Sequence, residues 1–587
     1  MSGPLDNVRL HLVDSLAALD ESRRWLGQQR SVPLFFDTES AGLSPYHDKL
    51  RLVQLGDLTD GWAFPEGWHG AAVEMLLAYK GELGAHNHGY DWRVLNRWTP
   101  GGVRIPWHKT HDTLTMGHLV NSLLLAGLKE RAEIEVDPRA ARGQEVMREG
   151  MKANRWTWGT VPDRWAPYWT YGALDPVLSA HLFTKFAPAI FGKYREAYDL
   201  ERAVIRICSA MMDKGMAVDI PFIEGKIAEI NRFHHQATGW LYDTFGLDTV
   251  NSGPKVMAML NQVGIPTQVL TESGNPSISK EALKFYATAY PEHAHLINTV
   301  RLCRKAGDLT GKYLGKFLDL QVDGIMHYSI WTCRARTSRM SVTDPPMQTY
   351  DRDEPVVRGA YIPREGFKLA SMDADQVEMR LTAHSSQDPQ LIQDFYDAER
   401  LGQSFFILAA GRIFREEISK KDLRYARTKN ASYGQVYGSG LEKAAATAGV
   451  PVEEMRGPYY GFQQRYPRVK AYMNALINKG KYQGQRYAKI IDGRQLQVRR
   501  GHEYAILNTE IQGNAAVIMK RDIVALDAAG FTPYMCLPVH DELLFEFPES
   551  DAQRMLDEAV AICTDRTGFR VPITWAGSVL DHRWVKT

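Results

Sequence analysis

An apolar run, Val32-Pro33-Leu34-Phe35-Phe36, gives way at once to Asp37-Thr38-Glu39, and the same change from apolar to acidic comes twice more in the C-terminal half. Leu369-Ala370-Ser371-Met372 runs into Asp373-Ala374-Asp375, after which Gln376 to Arg380 takes on a helical pattern. Pro538-Val539 and Leu543-Leu544-Phe545 enclose His540-Asp541-Glu542. Short apolar runs bounded by polar residues predict buried strands, and two such runs meeting across a few polar residues predict a β-hairpin whose tip carries the acids. A different period governs Arg424 to Gly438: Tyr425, Lys429, Tyr433 and Tyr437 stand four apart and share one face of a helix, with Gly434 and Gly438 available for close packing and termination. Helical periodicity also dominates from about residue 200 to 335. The polar stretch from Arg131 to Trp165 is expected to hold a long loop. Ten of the fourteen tryptophans precede residue 190, and a Met-rich helical pattern begins near Leu200, so a domain boundary is expected between them. A chain of 587 residues, 44% hydrophobic, has material for several cores.

The acids carry the candidate chemistry. Asp373 and Asp541, from separate strands, can together hold two Mg²⁺ ions ~4 Å apart, the arrangement that serves phosphoryl transfer. Taken alone, each acidic cluster reads more readily as a solvated strand end; it is their combination with the Tyr425–Tyr437 face that changes the picture. A buried unpaired ammonium within an aromatic stripe would be costly, whereas a face of lysine and tyrosines suits a nucleoside triphosphate, Lys429 meeting phosphate and a tyrosine ring lying against base or sugar. At the N-terminal strand, Asp37 and Glu39 project to one side at period two and can share a metal cluster. Asn87-His88-Gly89-Tyr90-Asp91 and Tyr171-Gly172-Ala173-Leu174-Asp175 complete an ordered acidic set.

On these segments the chain resembles family A DNA polymerases, the group of bacterial DNA polymerase I and short-tailed phage replicases. Its N-terminal set resembles the DEDD-type 3′→5′ exonucleases that carry a tyrosine four residues before the last aspartate. The resemblance implies a multidomain α/β protein: an RNase H-like exonuclease domain over residues 1–195, then a right-hand polymerase domain over 196–587. Within the latter, the thumb would span about 200–335, the palm about 336–395 and 510–587, and the fingers about 396–509. It implies polymerase metal ligands Asp373, the Ala374 carbonyl and Asp541, with Glu542 auxiliary, for two Mg²⁺ or Mn²⁺. Asp37, Glu39, Asp91 and Asp175 would hold two divalent ions, Mg²⁺, Mn²⁺ or Zn²⁺, and Tyr171 would orient the attacking water. Lys429, Tyr433, Tyr437 and Gln376 would meet the nucleotide, and Glu378, five residues after Asp373, would be the steric gate against ribose. Arg339, from Thr337-Ser338-Arg339-Met340-Ser341, and Gln348, from Asp344-Pro345-Pro346-Met347-Gln348, would contact primer or template, as would Asn508, Gln512 and His540. Asn87 and Leu43 would face the primer end in the exonuclease. The implied partners are primer-template DNA and deoxynucleoside triphosphates, with replisome proteins such as a helicase and a single-strand-binding protein beyond them.

The chain departs from the family in places. Ala374-Asp375 stand where Tyr-Ser is usual, and Tyr425 where an arginine is usual, which leaves Arg424 or Arg427 to meet triphosphate charge. With a formal net charge of +1, DNA binding requires local basic surfaces; Arg301, Arg304, Lys305, Lys312 and Lys316 form one candidate and Arg334, Arg336 and Arg339 another, each equally readable as a solvated face. Five scattered cysteines form no Cys-x-x-Cys pair, and no secretory or membrane-spanning run is present. A monomeric cytoplasmic enzyme without membrane contact, in the host cytoplasm if phage-encoded, is expected, with no 5′ nuclease domain. Two other classes are alternatives: a glycosyltransferase using Asp373-Ala374-Asp375, which leaves the Lys429 helix and the N-terminal acids unexplained, and a ribonuclease-type exonuclease with a nucleic-acid-binding extension. A cellular repair polymerase is the alternative within the polymerase class.

Overall fold

The computed structural model describes residues 3–28, 32–124, 126–271, 274–350, 355–565 and 567–585. The N-terminal part is built on a six-stranded mixed sheet in the order Arg9–Leu12, Asp60–Pro65, Leu50–Gly56, Leu34–Ser40, Leu83–Ala85, Thr110–Asp112. Leu34–Ser40 runs through its middle, antiparallel to Leu50–Gly56 and parallel to Leu83–Ala85. A strand covered on both faces reads as a continuous apolar run, and Leu34, Phe35 and Phe36 are all fully buried. The long helix Ala166–Gly192 lies along the sheet and brings Tyr171 and Asp175 to it. Gly61 makes that approach possible, since a Cβ there would stand 1.9 Å from the Ala173 carbonyl oxygen.

The stretch expected as a long loop instead contains most of helix Leu128–Glu135 and all of helix Arg142–Asn154. Met147 and Met151 seat the second helix against Val161 and Tyr168. A single buried pair in an otherwise charged helix is too narrow a stripe to stand out as a period.

The C-terminal part contains a four-stranded antiparallel sheet, ordered Met535–Val539, Glu542–Pro548, Phe367–Ala374, Trp575–Val579. The expected hairpin is there, its tip made by His540, at φ 57, and Asp541. Helices Val377–Ser386 and Ile506–Ala528 pack together, and the latter also packs on helix Ala552–Cys563. The predicted aromatic-lysine helix spans Leu423–Val436, with Tyr437 as its C-cap. Gly434 lies where an added Cβ would be 3.3 Å from Ala444 Cβ of the next helix. In chain order between these two sheets, helices Ile220–Phe245, Gly253–Gln262, Lys280–Ala289 and Ala294–Gly307 share a core that includes Leu241, Leu260, Tyr286 and Ile297. Within the expected thumb, Glu272 and Ser273 lie outside the described residues. Arg304 turns inward, donating to the carbonyls of Val250 (2.6 Å) and Ile278 (2.8 Å), and is therefore part of this fold rather than of a basic surface.

Helix Arg195–Lys214 joins the parts. Its Glu201 Oε1 accepts from Arg494 Nη1 at 2.7 Å and Lys520 Nζ at 2.5 Å, with all three side chains fully buried. Tyr46 donates to Asp213 Oδ1 at 2.9 Å, and Ser122 N–H to Gln497 Oε1 at 2.8 Å. The five cysteines are buried free thiols. Among the described residues, no helix is long and apolar enough to cross a membrane.

Candidate active sites

The end of strand Phe367–Ala374 meets the hairpin tip directly: the Ala374 N–H donates to the Asp541 carbonyl at 2.9 Å. Asp373 and Asp541 thus stand on adjoining backbone. A cavity of about 240 Å³ opens beside them, lined among others by Arg339, Ala374, Glu378, His540 and Asp541. Glu378 is 8% exposed, and both its oxygens are taken: Arg339 Nη2 ion-pairs with Oε1, and the Tyr437 hydroxyl donates to Oε2 at 2.6 Å. Tyr433 packs between Phe406 and Tyr437, with ring centroids 5.6 and 6.1 Å away. Burial, then the charges of Glu378 and Asp541, hold its hydroxyl well above the usual tyrosine range, so it remains an O–H donor. Lys429 is exposed on the same helix. His540 Nε2 donates to the Gln348 carbonyl at 3.0 Å, and the Gln348 amide donates to the Met340 carbonyl at 2.8 Å, which links three expected DNA-contacting segments. Asn508 and Gln512 are half-buried on helix Ile506–Ala528.

Several neighbours make further contacts. Glu542 is fully buried, and Arg358 Nη1 (3.2 Å), Ser371 Oγ (2.5 Å) and Trp584 Nε1 (3.3 Å) are among the groups it faces. Asp375, the unusual second acid, receives Arg380 Nη2 at 2.6 Å and the Gln376 side-chain amide at 3.0 Å. Gln376 itself is the left-handed N-cap of helix Val377–Ser386. Arg424 pairs with Asp422 (2.8 Å) and Glu416 (2.7 Å), and Arg427 with Glu454, so neither candidate for triphosphate charge is uncommitted.

In the N-terminal part, carboxylate oxygens of Asp37, Glu39 and Asp175 lie within 4.8 Å of one another. Asp91, from the first turn of helix His88–Trp98, stands beside this triad and accepts from Thr38 Oγ1 at 2.7 Å. Burial, then the charges of Asp91, Asp175 and Glu39, pushes Asp37 well above the usual carboxylate range. Glu39 is pushed up to about 8, first by burial and then by Asp175. Asp91 is pushed up to about 7 by burial, against the hydrogen bond from Thr38. Carboxylates held this close resist joint ionisation until positive charge joins them, so the donor set fits divalent cations. Tyr171, raised by burial and the Asp175 charge, keeps its hydroxyl proton. Asn87 is left-handed (φ 70) and its N–H donates to Asp112 Oδ1 at 3.0 Å. Leu43 is no core residue, since it is 82% exposed on the loop after the acidic strand. Sequence reasoning missed Lys129, which enters the cluster and ion-pairs with Asp175.

The family model for DNA polymerase family A matches residues 225–584, and the chain belongs to that family. The N-terminal acids lie outside the matched residues. The DNA polymerase of Mycobacterium phage D29 is 28% identical over 584 residues, 96% of this chain and 95% of that protein. DNA polymerase I of Mycobacterium tuberculosis (strain ATCC 25618 / H37Rv) is 28% identical over 395 residues, 64% of this chain and 42% of that protein. Among solved structures, the POL domain of Pol1 from M. smegmatis in complex with DNA primer-template and dNTP superposes with a TM-score of 0.76 at 20% identity, covering 98% of this chain and 99% of that one. At that identity the likeness is one of fold.

Proposed function

We propose that the chain extends a primer 3′-hydroxyl on a DNA template and removes misplaced 3′-terminal nucleotides at a separate centre, in phage-type DNA replication. The observation that carries this reading is the junction of Asp373-Ala374 with Asp541 beside the Glu378–Tyr437–Tyr433 cluster. Residues 1–195 would form the exonuclease domain and 196–587 the polymerase, with thumb, palm and fingers as the resemblance implies. In extension, the 3′-oxygen attacks the α-phosphorus of the incoming triphosphate and pyrophosphate leaves. Lys429 meets the triphosphate, Tyr433 and Tyr437 flank the sugar and base, and Arg339, Gln348, Asn508, Gln512 and His540 hold primer and template. In proofreading, Tyr171 orients water toward the terminal phosphodiester while Leu43 and Asn87 face the primer end. Divalent ions would be held by Asp373, the Ala374 carbonyl and Asp541 at one centre, and by Asp37, Glu39, Asp91 and Asp175 at the other, where they stabilise charge on the reacting oxygens.

Primer extension and 3′-end degradation, measured in parallel, test this. Asp541→Ala should remove extension, by at least a thousandfold, and spare degradation. Asp37→Ala with Glu39→Ala should do the reverse. Loss of both activities in either folded variant overturns the two-centre reading.

A further inference from the structure

Lys129 lies in the first turn of helix Leu128–Glu135 and is 4% exposed. Its ammonium ion-pairs with Asp175 Oδ1, sits 4.3 Å from the centre of the Tyr171 ring and lies 3.4 Å from the Tyr171 carbonyl oxygen. It therefore bridges one turn of helix Ala166–Gly192, touching both functional residues that this helix supplies. A buried ammonium requires a partner, and Asp175 provides one. The converse does not hold, because one ammonium faces the Asp37, Glu39 and Asp175 triad with Asp91 beside it. The cluster keeps a demand for further positive charge, yet one oxygen of Asp175 is already occupied.

We propose that Lys129 is a built-in cation of this centre: it holds Asp175 until a divalent ion displaces it, and so sets how tightly the last ion binds. This rests on the exonuclease reading. An ammonium and a divalent ion on the same carboxylate repel each other at this range, so each weakens the other's hold on Asp175. Lys129 acts through Asp175 and Tyr171 and is a positioning residue. Its effect is to keep the centre ordered at low metal and to raise the metal concentration that full loading requires.

The test is Mn²⁺ titration by calorimetry, in an Asp373→Ala/Asp541→Ala background that removes the polymerase carboxylates. Lys129→Met should bind Mn²⁺ about tenfold more tightly than Lys129, and Lys129→Arg should stay near the parent, since it keeps the charge. A residue that merely supported the fold would lose affinity on substitution, so the direction of the change discriminates. Unchanged or weaker Mn²⁺ binding in Lys129→Met, with a cooperative thermal transition retained, overturns the proposal. Should Lys129→Met fail to fold, Lys129→Gln, which keeps a hydrogen-bond donor without charge, is judged by the same criterion. If adding Asp37→Ala/Glu39→Ala removes no Mn²⁺ binding, the exonuclease reading itself falls and this inference with it; binding that is lost there but insensitive to Lys129 removes the inference alone.

Discussion

Glu378→Ala tests whether one carboxylate excludes a ribose 2′-hydroxyl. Glu378 cannot swing aside at little cost, because Arg339 holds one oxygen and the Tyr437 hydroxyl holds the other at 2.6 Å. Each is a charge-assisted contact, worth ~1.5–3 kcal/mol when lost. Admitting a ribonucleotide by displacing the carboxylate breaks at least one of them, which sets discrimination from this source at roughly one to two orders of magnitude. Glu378→Ala removes the obstacle, so the ratio of ribo- to deoxynucleotide kcat/KM should rise by about 10- to 100-fold. Tyr437→Phe removes one tether and leaves Arg339, so it should give a smaller rise, roughly fivefold to tenfold, with Glu378 still present. The assay is single-nucleotide incorporation in the Asp37→Ala/Glu39→Ala background, so that excision does not mask misinsertion. The ratio matters because Glu378→Ala also releases Arg339 and slows deoxynucleotide insertion. An unchanged ratio in Glu378→Ala refutes the gate. A wild-type ratio in Tyr437→Phe refutes the argument that the hydroxyl holds it in place.

Tyr433 places a neutral hydroxyl near the charges of Glu378 and Asp541, where it can take over a polar contact otherwise made by the nucleotide's own 3′-hydroxyl. Dideoxynucleotides should therefore be used nearly as readily as deoxynucleotides, and Tyr433→Phe should restore discrimination by about two orders of magnitude, ~2–3 kcal/mol; equal selectivity in competition assays would leave Tyr433 a packing residue. Glu201→Gln should destabilise the fold by ~3–5 kcal/mol, because it strands Arg494 and Lys520 in the interior. Burial raises the Glu201 pKa, but the Lys520 and Arg494 charges outweigh it and pull it down to about 2. Its contribution is thus complete above the ordinary value near 4.5 and is lost as pH falls from there toward 2. Denaturant unfolding across that window should show wild type losing its advantage over Glu201→Gln, and a constant difference would contradict the assignment.

What the sequence displayed was local. The hairpin at Asp541 and the strand before Asp37 were legible because each is an apolar run cut short by acids, and the Leu423–Val436 helix because its residues repeat at every turn. Lys129 was not legible: its partner is 46 positions away, and a lone lysine in a charged helix looks like any solvated one. The ion pairs of Glu542 and of Arg427 were equally hidden. Arg358 lies 184 positions from Glu542, and Arg427 meets Glu454 only because two helices cross. Asp375 was nearer to being readable, since Arg380 is five residues on and at the same helix N-terminus.

These cases share a physical cause, which also separates supporting acids from the N-terminal centre. Asp375 has Arg380, Glu542 has Arg358, and Asp394 has both Arg412 and Arg465. In each, charge is balanced where it stands. Asp37, Glu39 and Asp175 converge within 4.8 Å with Asp91 beside them, and Lys129 pairs with only one of the triad. Burying such an excess opposes folding, since each acid must hold its proton or await a cation. A fold that nevertheless assembles it, from one central strand and two helices that approach it separately, has placed a demand for positive charge at a defined point. That imbalance is a property of the assembled charges, and no spacing along the chain contains it.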